Sequence, residues 1–324
     1  MRIISTLKDI ARHLGVSYST VSRAFDPSSR VGQTTRKRVL DYAEQISFHP
    51  NLIAQSLKKS ETKTVGIIIP SLDNIFYIEV LQQIEIALKS YGYRLLISFV
   101  QTSIASERDC LELMMASQVD AIIFIPLDRN NSDYVLKLMR SCYLTQLFNV
   151  YYDEIDSISM NDNGGARLGA EYLFKHGHRR ILYIGGSDRV NGFLEAADNY
   201  QISRTDICIK DDWLTTPQEI SEAILEFRPT SVFAIAYTAE AAWRAISDLR
   251  MEIPKDISLI VYDDTKWISI LDITAVAHDL EDVANTLVNQ IMRKLRTIND
   301  NGFTPEKIIL SPFIKERNSV CILR

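Results

Sequence analysis

Short runs of branched apolar residues alternate with amphipathic stretches over most of the chain, from residue 64 onward. The runs are predicted to be buried strands, and they are Val65–Ile69, Leu95–Phe99, Ala121–Ile125, Gln146–Val150, Ile181–Gly185, Ser231–Ala236 and Ser258–Tyr262. The stretch between the first two repeats apolar residues at the spacing of one helix face, namely Ile78, Leu81, Ile84 and Leu88. Strands that alternate with helices form parallel sheets covered on both faces, so the pattern predicts an α/β body.

The length of the chain and one change of pattern indicate that this body contains two sheets. The chain has 324 residues, which is enough for two or three domains of typical size. Residues 161–165 read Asn-Asp-Asn-Gly-Gly and interrupt the alternation of strands and helices, as a passage from one sheet to the next would. Ligands bind beyond the carboxyl ends of strands in open sheets, so we expect a pocket in a cleft between two subdomains.

The first 60 residues carry a charge opposite to that of the remainder. They hold ten Lys and Arg against four Asp and Glu, a net charge of +6, whereas the whole chain has a formal net charge of −5. The remaining 264 residues therefore carry −11. A region rich in cations neutralises the phosphates of a nucleic acid, so a basic head on an acidic body favours a polyanionic partner. A solvated basic face without a partner would have the same composition.

The basic head has the pattern of a helix-turn-helix. Apolar residues at one-face spacing predict a first helix with Thr6 as its N-cap and Gly15 at its end. Ser17 is placed to cap a second short helix, and a third is predicted from about Thr34 to Ile46. The residues expected to form the core of this head are Leu7, Ile10, Ala11, Leu14, Val21, Ala24, Phe25, Val39, Leu40, Ala43 and Ile46.

The polar face of the second helix suits the major groove of DNA. Arg23 can donate two hydrogen bonds to a guanine, and Tyr18 and Ser19 can bond to base edges or touch a thymine methyl group. Thr20 and Ser22 are short donors for phosphate oxygens. Many helical hairpins share this spacing, so the spacing alone does not separate DNA binding from a structural role.

The string from Leu7 to Ala24, LKDIARHLGVSYSTVSRA, resembles the DNA-binding headpiece of the lac/gal repressor family of bacterial transcriptional regulators. The resemblance continues through Thr35-Arg36, His49-Pro50-Asn51 and residues 54–57 and along the body to about residue 315. It implies that bases are read by Tyr18, Ser19 and Arg23, and that the DNA backbone is contacted by Ser17, Thr20, Ser22, Thr35 and Asn51. One departure is Gly32, which stands where the family usually has a serine that caps the third helix.

The segment PNLIAQSL, residues 50–57, joins the head to the body. Two helical turns are marginal as an isolated helix in water, so this segment should need a partner to become ordered. The resemblance implies a hinge helix that folds when two copies lie side by side in the minor groove, where Ala54 and Leu57 contact DNA and Leu57 is wedged into a base step. An ordinary linker is the alternative.

The resemblance also implies the fold class and the domain plan. The expected fold is a small all-α helix-turn-helix headpiece followed by an α/β body of two doubly wound parallel-sheet subdomains, similar to periplasmic sugar-binding proteins. The headpiece would span residues 1–50, the hinge helix and linker 51–61, and the effector-binding and dimerisation core 62–324. Within that core the N-subdomain would take about 62–160 and 279–308, and the C-subdomain about 161–278 and 309–324.

Polar and aromatic residues follow several of the predicted strands. An Arg and an Asp that face each other across an aromatic cleft can bridge neighbouring hydroxyl groups of a sugar, although single residues at strand ends more often form local ion pairs. The resemblance matches Arg189 and Asp263 to effector ligands directly, and Phe76, Tyr77, Asn149 and Trp213 through loops of variable length. The sequence departs from the family pattern at two places. The family commonly has an Asn-Asp or Ser-Asp pair after the sixth strand, whereas residues 236–240 read AYTAE and lack the acidic member of that pair. The Pro that usually precedes the Thr of the closing strand is missing from residues 271–275, which read LDITA.

Other functional classes find little support in the sequence. HExxH, GxSxG, P-loop and GxGxxG motifs are absent, so we expect neither an enzyme nor a bound cofactor. The four cysteines are far apart and form no CxxC pair, which argues against a metal site or structural disulfides. The sequence shows no apolar run of membrane-spanning length and no signal peptide, so a cytoplasmic protein without membrane contact is expected.

These observations together predict a homodimeric repressor that binds double-stranded operator DNA. A small molecule in the cleft, expected to be a carbohydrate, would control its affinity for the operator, and helix 78–91 would contribute to the dimer. The alternatives are a cytosolic sugar-binding protein without a DNA target, and a regulator controlled by a purine or by a protein partner.

Overall fold

The computed structural model describes residues 6–26, 29–48, 61–100, 104–127, 129–210, 216–297 and 304–323. The chain divides into two compact units, a head unit, Met1–Lys63, and a body unit, Thr64–Arg324. Each unit has its own apolar core. Among the described residues, no helix combines the length and the apolar character needed to span a bilayer.

The described part of the head unit contains three helices, α1 Leu7–Leu14, α2 Tyr18–Ala24 and α3 Gln33–Gln45. The helix ends predicted from the sequence are confirmed. The Thr6 hydroxyl accepts the Asp9 N–H at 3.3 Å, and the Asp9 carboxylate accepts the Thr6 N–H at 2.9 Å, which completes a capping box. Gly15 ends α1 with φ at 64°, a left-handed conformation that glycine adopts without steric cost.

Six buried side chains form the centre of the head unit, namely Ile10, Ala11, Val21, Ala24, Val39 and Ala43. The prediction that Leu40 belongs to this core is wrong, because 41% of it is exposed. Val39 and Ala43 lie one helical turn apart on the inner face of α3, and Leu40 is rotated away from that face by about 100°. Polar and aromatic contacts also join α1 to α3, since His13 stacks on Tyr42 and the Arg38 guanidinium donates to the Leu14 carbonyl.

The described residues of the body unit form two six-stranded sheets. The first sheet has the strand order β11-β5-β4-β3-β1-β2, and the second has the order β12-β10-β9-β8-β6-β7. The strands are β1 Thr64–Ile69, β2 Arg94–Phe99, β3 Ala121–Phe124, β4 Tyr143–Leu147, β5 Asp156–Met160, β6 Ile181–Ile184, β7 Ile207–Lys210, β8 Ser231–Ile235, β9 Ser258–Tyr262, β10 Thr274–Ala277, β11 Lys307–Leu310 and β12 Phe313–Lys315. Neighbouring strands are parallel except β10 and β12, which pair antiparallel at the edge of the second sheet.

Helices cover the sheets, as the alternating pattern predicts. In chain order they are α4 Ile75–Ser90, α5 Ile104–Ala116, α6 Ser132–Leu138, α7 Asp162–Lys175, α8 Ser187–Asn199, α9 Pro217–Phe227, α10 Ala236–Asp248, α11 Lys266–Ile270 and α12 Leu280–Thr297. The last of these, α12, packs with α4 in the core of the first sheet. The chain therefore returns to the first sheet after β10, as expected for two subdomains that share several crossovers.

The chain crosses between the sheets at three places in the described residues, after β5, after β10 and after β11. The strand Lys307–Leu310 pairs with β5 in the first sheet, so the last crossover follows residue 310, slightly later than the predicted boundary near 308. The first and the last of these connections run close together, since the Asn161 N–H donates to the Leu310 carbonyl at 2.9 Å.

The fourth strand begins and ends three residues earlier than predicted, at Tyr143–Leu147 instead of Gln146–Val150. Polar residues inside the strand obscured its position in the sequence. The fully buried Gln146 amide donates to the Tyr152 carbonyl at 2.7 Å and accepts the N–H groups of Tyr151 and Tyr152, each at 2.8 Å. These bonds hold the loop that follows β4, so Asn149 lies in that loop and not in a strand.

Strand β5, Asp156–Met160, was not predicted because its first two residues are polar. Asp156 is fully buried, and its carboxylate accepts hydrogen bonds from the Tyr143 hydroxyl and the Glu306 N–H, both at 2.6 Å. The Lys294 ammonium lies 3.3 Å from the same carboxylate. A buried charge with this many partners joins β4, β5, α12 and the start of β11.

Candidate DNA interface and effector site

Helix α2 presents one polar face to solvent and one apolar face to the core of the head unit. Val21 and Ala24 are buried, whereas Tyr18 is 50% exposed and Ser19 and Arg23 are also exposed. The three residues predicted to read bases therefore lie on the accessible side of the helix. A long guanidinium, a phenol and a small hydroxyl on one exposed helix edge suit hydrogen bonding in a major groove.

The hydroxyl groups at the start of α2 are already bonded to each other. Ser17 Oγ accepts the Thr20 N–H at 3.1 Å and lies 2.8 Å from both Ser19 Oγ and Thr20 Oγ1. Ser17 is thus the N-cap of α2, as predicted, and its predicted contact with the DNA backbone would have to share that hydroxyl. Ser22 and Thr35 are half-buried. The predicted DNA contacts Asn51, Ala54 and Leu57 lie outside the described residues.

Arg36 holds Ser29, which lies shortly before α3. Its guanidinium donates to the Ser29 carbonyl at 2.8 Å and to the Ser29 hydroxyl at 3.1 Å. Gly32 begins α3 without a side-chain cap, which agrees with the predicted departure from the family pattern. A glycine N-cap is weaker than a serine, and the bonds from Arg36 hold Ser29 shortly before this N-cap.

A cavity of about 270 Å³ lies in the body unit where the strands of both sheets end. Five of the predicted effector residues line it, and these are Phe76, Tyr77, Asn149, Arg189 and Asp263. The sixth, Trp213, lies outside the described residues. The cavity is also lined by residues that the sequence did not single out, namely Asn74, Phe148, Tyr151, Met160, Asp162, Gly186 and Ile235. A larger cavity of about 590 Å³ beside Trp243 and Arg250 contains none of the predicted residues.

Three aromatic rings form one wall of the 270 Å³ cavity. Phe76 and Tyr77 lie in the first turn of α4, which begins where Asn74 Oδ1 accepts the Phe76 N–H at 3.1 Å. Phe148 completes the wall, since its ring centroid lies 5.4 Å from that of Phe76 and 6.2 Å from that of Tyr77. The backbone of Phe148 is left-handed, with φ at 66°, at the turn that follows β4. The wall offers an apolar face to a ring-shaped ligand.

Arg189 and Asp162 form an ion pair at the edge of this cavity. The Nη2 and Nε atoms of Arg189 lie 3.1 and 3.2 Å from Asp162 Oδ1. The Tyr262 hydroxyl donates to the same carboxylate oxygen at 3.0 Å, and the Arg189 guanidinium lies over the Tyr262 ring at 4.3 Å. Burial by itself lowers the pKa of Arg189, but the carboxylates of Asp263 and Asp162 outweigh burial and raise it. The guanidinium is therefore charged and held in place.

Glycines allow this close packing. A Cβ atom at Gly165 would lie 2.4 Å from the Tyr262 hydroxyl oxygen, and one at Gly192 would lie 1.9 Å from the Asn163 carbonyl oxygen. Helix α7 therefore approaches Tyr262 and α8 more closely than any larger residue would permit. The Gly-Gly pair at 164–165 indicated this crossover in the sequence. The sequence did not predict that Gly165 lets the Tyr262 ring pack close enough to bond to Asp162.

Asp263 is the carboxylate of the cavity that the protein itself does not fully satisfy. It follows β9 with φ at 74°, is 7% exposed, and its Oδ1 atom has no hydrogen-bond partner among the described residues. Burial raises the pKa of Asp263 to about 6, against the opposing effect of Arg189. Burial and the charge of Asp263 also raise the pKa of Tyr77, so its hydroxyl remains a donor at neutral pH.

The neighbouring Asp264 has a different role, although it directly follows Asp263 in the sequence. The Asp264 carboxylate accepts a hydrogen bond from the Arg317 guanidinium at 2.8 Å and lies 3.2 Å from the Lys315 ammonium. It therefore ties β9 to β12 at the edge of the second sheet and does not line the cavity. Only Asp263 of this pair lines the cavity and can accept from a ligand there.

The comparisons with known proteins agree with this architecture. Residues 6–51 match the profile of the bacterial regulatory proteins of the lacI family, and residues 170–320 match that of a periplasmic binding protein-like domain. The HTH-type transcriptional regulator RegA of Clostridium saccharobutylicum is 28% identical, over 97% of this chain and 99% of that protein. The sucrose operon repressor of Streptococcus mutans is 27% identical, over 95% and 97% of the two chains.

Among solved structures, the Lac repressor bound to ONPG superposes with a TM-score of 0.81 at 24% identity. The superposition covers 97% of this chain and 99% of the repressor, so the two share a fold over their whole length. The head matches a helix-turn-helix profile and the body matches a periplasmic binding protein-like profile. The relatives align with this chain from end to end. The chain therefore joins a helix-turn-helix domain of the lacI type to a body of the periplasmic binding protein-like type.

Proposed function

We propose that this chain is a transcriptional repressor whose affinity for operator DNA is controlled by a small neutral carbohydrate bound in the 270 Å³ cavity. The observation that carries the effector part of the proposal is the pairing of a fixed guanidinium, Arg189, with an unsatisfied carboxylate, Asp263, beside an aromatic wall. The observation that supports the DNA part is the exposed polar edge of α2.

The DNA contacts follow from what α2 exposes. Tyr18, Ser19 and Arg23 would read base edges, because these side chains leave the head unit on its accessible side. From the resemblance to the family, the residues that would contact the DNA backbone are Ser17, Thr20, Ser22, Thr35 and Asn51. The residues that would enter the minor groove are Ala54 and Leu57. Residues 1–50 would act as the DNA-binding headpiece and residues 51–61 as the hinge.

The cavity chemistry favours a neutral ligand that carries several hydroxyl groups. A hydroxyl can donate to Asp263 Oδ1 and accept from Arg189, whereas a second anion would be repelled by the two carboxylates of Asp162 and Asp263. The rings of Phe76, Tyr77 and Phe148 offer an apolar surface to the C–H face of a sugar. The relative from Streptococcus mutans is named as a repressor of a sucrose operon, which is consistent with this class of ligand.

The position of the cavity connects ligand binding to the arrangement of the two sheets. Asp162 begins α7 directly after a crossover, while Phe76 and Tyr77 belong to the first sheet and Asp263 to the second. A ligand that bonds to both sides would stabilise a closed cleft. In a homodimer formed through the first subdomain, closure would change the spacing of the two hinge segments and lower the affinity for DNA.

Exposed apolar side chains on the first sheet support a dimer through that subdomain. Ile86 on α4 is 60% exposed, and Ile97 and Phe99 on the edge strand β2 are 41% and 37% exposed. Helix α4, Ile75–Ser90, is the helix that the sequence predicted as the dimer contributor. Apolar groups that are exposed in a single chain in this way are typical of surfaces covered by a partner.

A ligand screen on the full-length protein tests the effector. The melting temperature would be measured with D-ribose, D-galactose, D-glucose, sucrose, hypoxanthine and guanine, since a ligand that binds the folded state raises it by mass action. We expect a shift with a sugar that disappears in Asp263→Asn. A rise in melting temperature with a purine and with none of the sugars would show that the effector is a purine and not a carbohydrate.

A gel-shift experiment tests the DNA part. Duplexes selected from a random-sequence pool would be bound at moderate salt, with and without the sugar that raises the melting temperature. We expect a specific complex that weakens when the sugar is added. Failure to select any sequence, together with binding of a sugar, would indicate the alternative, a sugar-binding protein without a DNA target.

A further inference from the structure

A buried histidine lies next to the unsatisfied carboxylate of the cavity. The His278 side chain is 1% exposed and that of Asp263 is 9% exposed, and the Nε2 atom of His278 lies 4.0 Å from Asp263 Oδ1. Within the described residues, neither ring nitrogen of His278 has a hydrogen-bond partner, and Asp263 Oδ1 has none. Three polar atoms at one place therefore lack partners, which is costly in a protein interior and rare in native structures.

His278 occupies a special place in the fold. It follows β10, Thr274–Ala277, and comes two residues before α12, Leu280–Thr297, so it lies on the crossover from the second sheet to the first. Asp263 follows the neighbouring strand β9, and its N–H donates to the Val276 carbonyl at 2.9 Å. The carboxylate that faces the cavity is therefore packed against a connection between the two subdomains.

The distance between the two groups suits one oxygen atom between them. Direct hydrogen bonds between N–H and O are shorter than 4.0 Å, so the pair is too far apart to bond directly. An oxygen placed about 2.8 Å from each atom would make an angle of about 90° at that oxygen, which a hydroxyl tolerates. Such a hydroxyl would accept from the ring N–H and donate to the carboxylate.

We propose that His278 is a positioning residue of the effector site, which orients the Asp263 carboxylate through one shared hydroxyl oxygen supplied by the bound ligand. A water molecule would take the place of that oxygen in the free protein. The assignment of the oxygen to a sugar rests on the proposed function, whereas the pairing of His278 with Asp263 does not. A ligand with a carboxylate or phosphate at this point would be repelled by Asp263, so the subsite selects a neutral hydroxyl.

The charged and titratable groups around the pair agree with these roles. Asp162 and Arg189 interact electrostatically with both residues, and the Tyr262 ring centroid lies 5.8 Å from that of His278. Burial lowers the pKa of His278 to about 4, with Asp162 opposing that change and Arg189 adding to it. At neutral pH the ring is therefore uncharged and has one N–H to donate, while Asp263 is charged and accepts.

Histidine NMR on the full-length protein tests the pairing without a ligand. With ¹³C at Cε1 of its five histidines, we expect the His278 signal to show a neutral ring at pH 7 and an inflection near pH 6, where Asp263 takes up its proton. His176 and His178 are internal controls, and Asp263→Asn should abolish the inflection. A His278 signal that stays flat between pH 5 and 8 in the unmutated protein would overturn the pairing.

A binding experiment tests the ligand oxygen. Calorimetry with D-ribose, D-galactose, D-glucose and sucrose would compare the unmutated protein, His278→Gln and His278→Leu between pH 6 and 8. Since Gln keeps an N–H donor, we expect His278→Gln to stay within about threefold of the unmutated affinity and His278→Leu to lose about tenfold or more. Binding of a sugar should also shift the His278 signal.

The possible results separate the two proposals. A sugar that binds without moving the His278 signal, or that binds His278→Leu with full affinity, would overturn the role of His278 in the site. If none of the four sugars binds any of the three proteins, the carbohydrate effector is wrong, and the NMR titration still decides whether His278 and Asp263 interact.

Discussion

Asp162 Oδ1 lies 3.1 Å from Arg189 Nη2, and this ion pair joins the start of α7 to the side of α8 that faces the cavity. Tyr262, one hundred residues further along the chain than Asp162, donates to the same oxygen at 3.0 Å. One carboxylate is thus used to hold the guanidinium and the phenol. The other carboxylate of the cavity, Asp263, keeps an oxygen without a partner among the described residues.

Asp162→Asn should weaken effector binding without unfolding the body unit. Loss of the charge removes a charge-assisted hydrogen bond that orients Arg189, so we expect a loss of about 10- to 100-fold in affinity, or about 1.4 to 2.8 kcal/mol. Calorimetry with the sugar identified in the screen measures the change. Asp206→Asn is the matched control, because Asp206 pairs with Arg180 at 3.3 Å outside the cavity. An equal loss in both variants would contradict a specific role for Asp162.

Asp263→Asn should stabilise the free protein at neutral pH and abolish effector binding. The pKa of Asp263 is raised from 3.8 to about 6, so the folded state binds its proton more tightly than the unfolded state does. The charged form therefore costs stability above pH 6, by up to about 3 kcal/mol, and this cost is relieved as pH falls from 6 to 4.

Urea denaturation of both proteins at pH 7.5 and pH 4.5 measures this difference. We expect the advantage of Asp263→Asn to be largest at pH 7.5 and to shrink at pH 4.5. Buried His178 and His278, whose pKa values are each lowered to about 4, destabilise the protein as pH falls below 6.5. His178 acts equally in both proteins, so the comparison between them removes its contribution. An advantage that grows at low pH would show that Asp263 is not the titrating group.

Gly165→Ala should disturb the site from outside the cavity. The added methyl group would lie 2.4 Å from the Tyr262 hydroxyl oxygen, so the ring must shift and the bond to Asp162 must lengthen. Overpacking of this kind costs about 1–3 kcal/mol, and effector affinity should fall as well. Urea denaturation and calorimetry measure the two effects. Gly32→Ser is the control, because nothing lies within 4 Å of the added Cβ atom and serine is a good N-cap for α3, and an equal loss in both variants would exclude the proposed clash.

Arg23→Ala and Lys58→Ala should affect DNA binding in different ways. Arg23 lies on the exposed edge of α2, so its loss should reduce discrimination between the selected operator and random DNA by about 1–3 kcal/mol. Lys58 belongs to the basic linker segment, outside the described residues, and we propose that it contributes positive charge alone. Its loss should lower the salt dependence of binding by about one phosphate contact. Fluorescence anisotropy at several salt concentrations separates the two, and identical effects on both kinds of DNA would refute the assignment.

The head unit was predictable in detail because its elements are set by neighbours in sequence. The cap formed by Thr6 and the left-handed end at Gly15 involve residues three or four positions apart. Leu40 was assigned to the wrong face because a hydrophobic residue beside the inner face of a helix has the same local pattern as one on it. Only the packing of α1 and α2 against α3 distinguishes the two.

In the body unit, the buried polar residues limited what could be predicted. Gln146 and Asp156 lie inside strands, where their side chains bond to a loop and to other elements. A polar residue in a short strand has the sequence pattern of a loop, because the sequence does not reveal the group to which its side chain will hydrogen-bond. The positions of β4 and β5 therefore followed from the structure alone.

The amino-acid sequence by itself determined the helix-turn-helix, the α/β body, the passage near residue 162 and the residues at the ends of the strands, because these depend on local periodicity and on short motifs. The tertiary structure alone decided which of those residues meet. It placed Asp162 against Arg189 and Tyr262, turned Asp263 and Asp264 to different partners, and set His278 beside Asp263. Contacts between strands and helices far apart in sequence depend on how two sheets pack, and no local pattern records that packing.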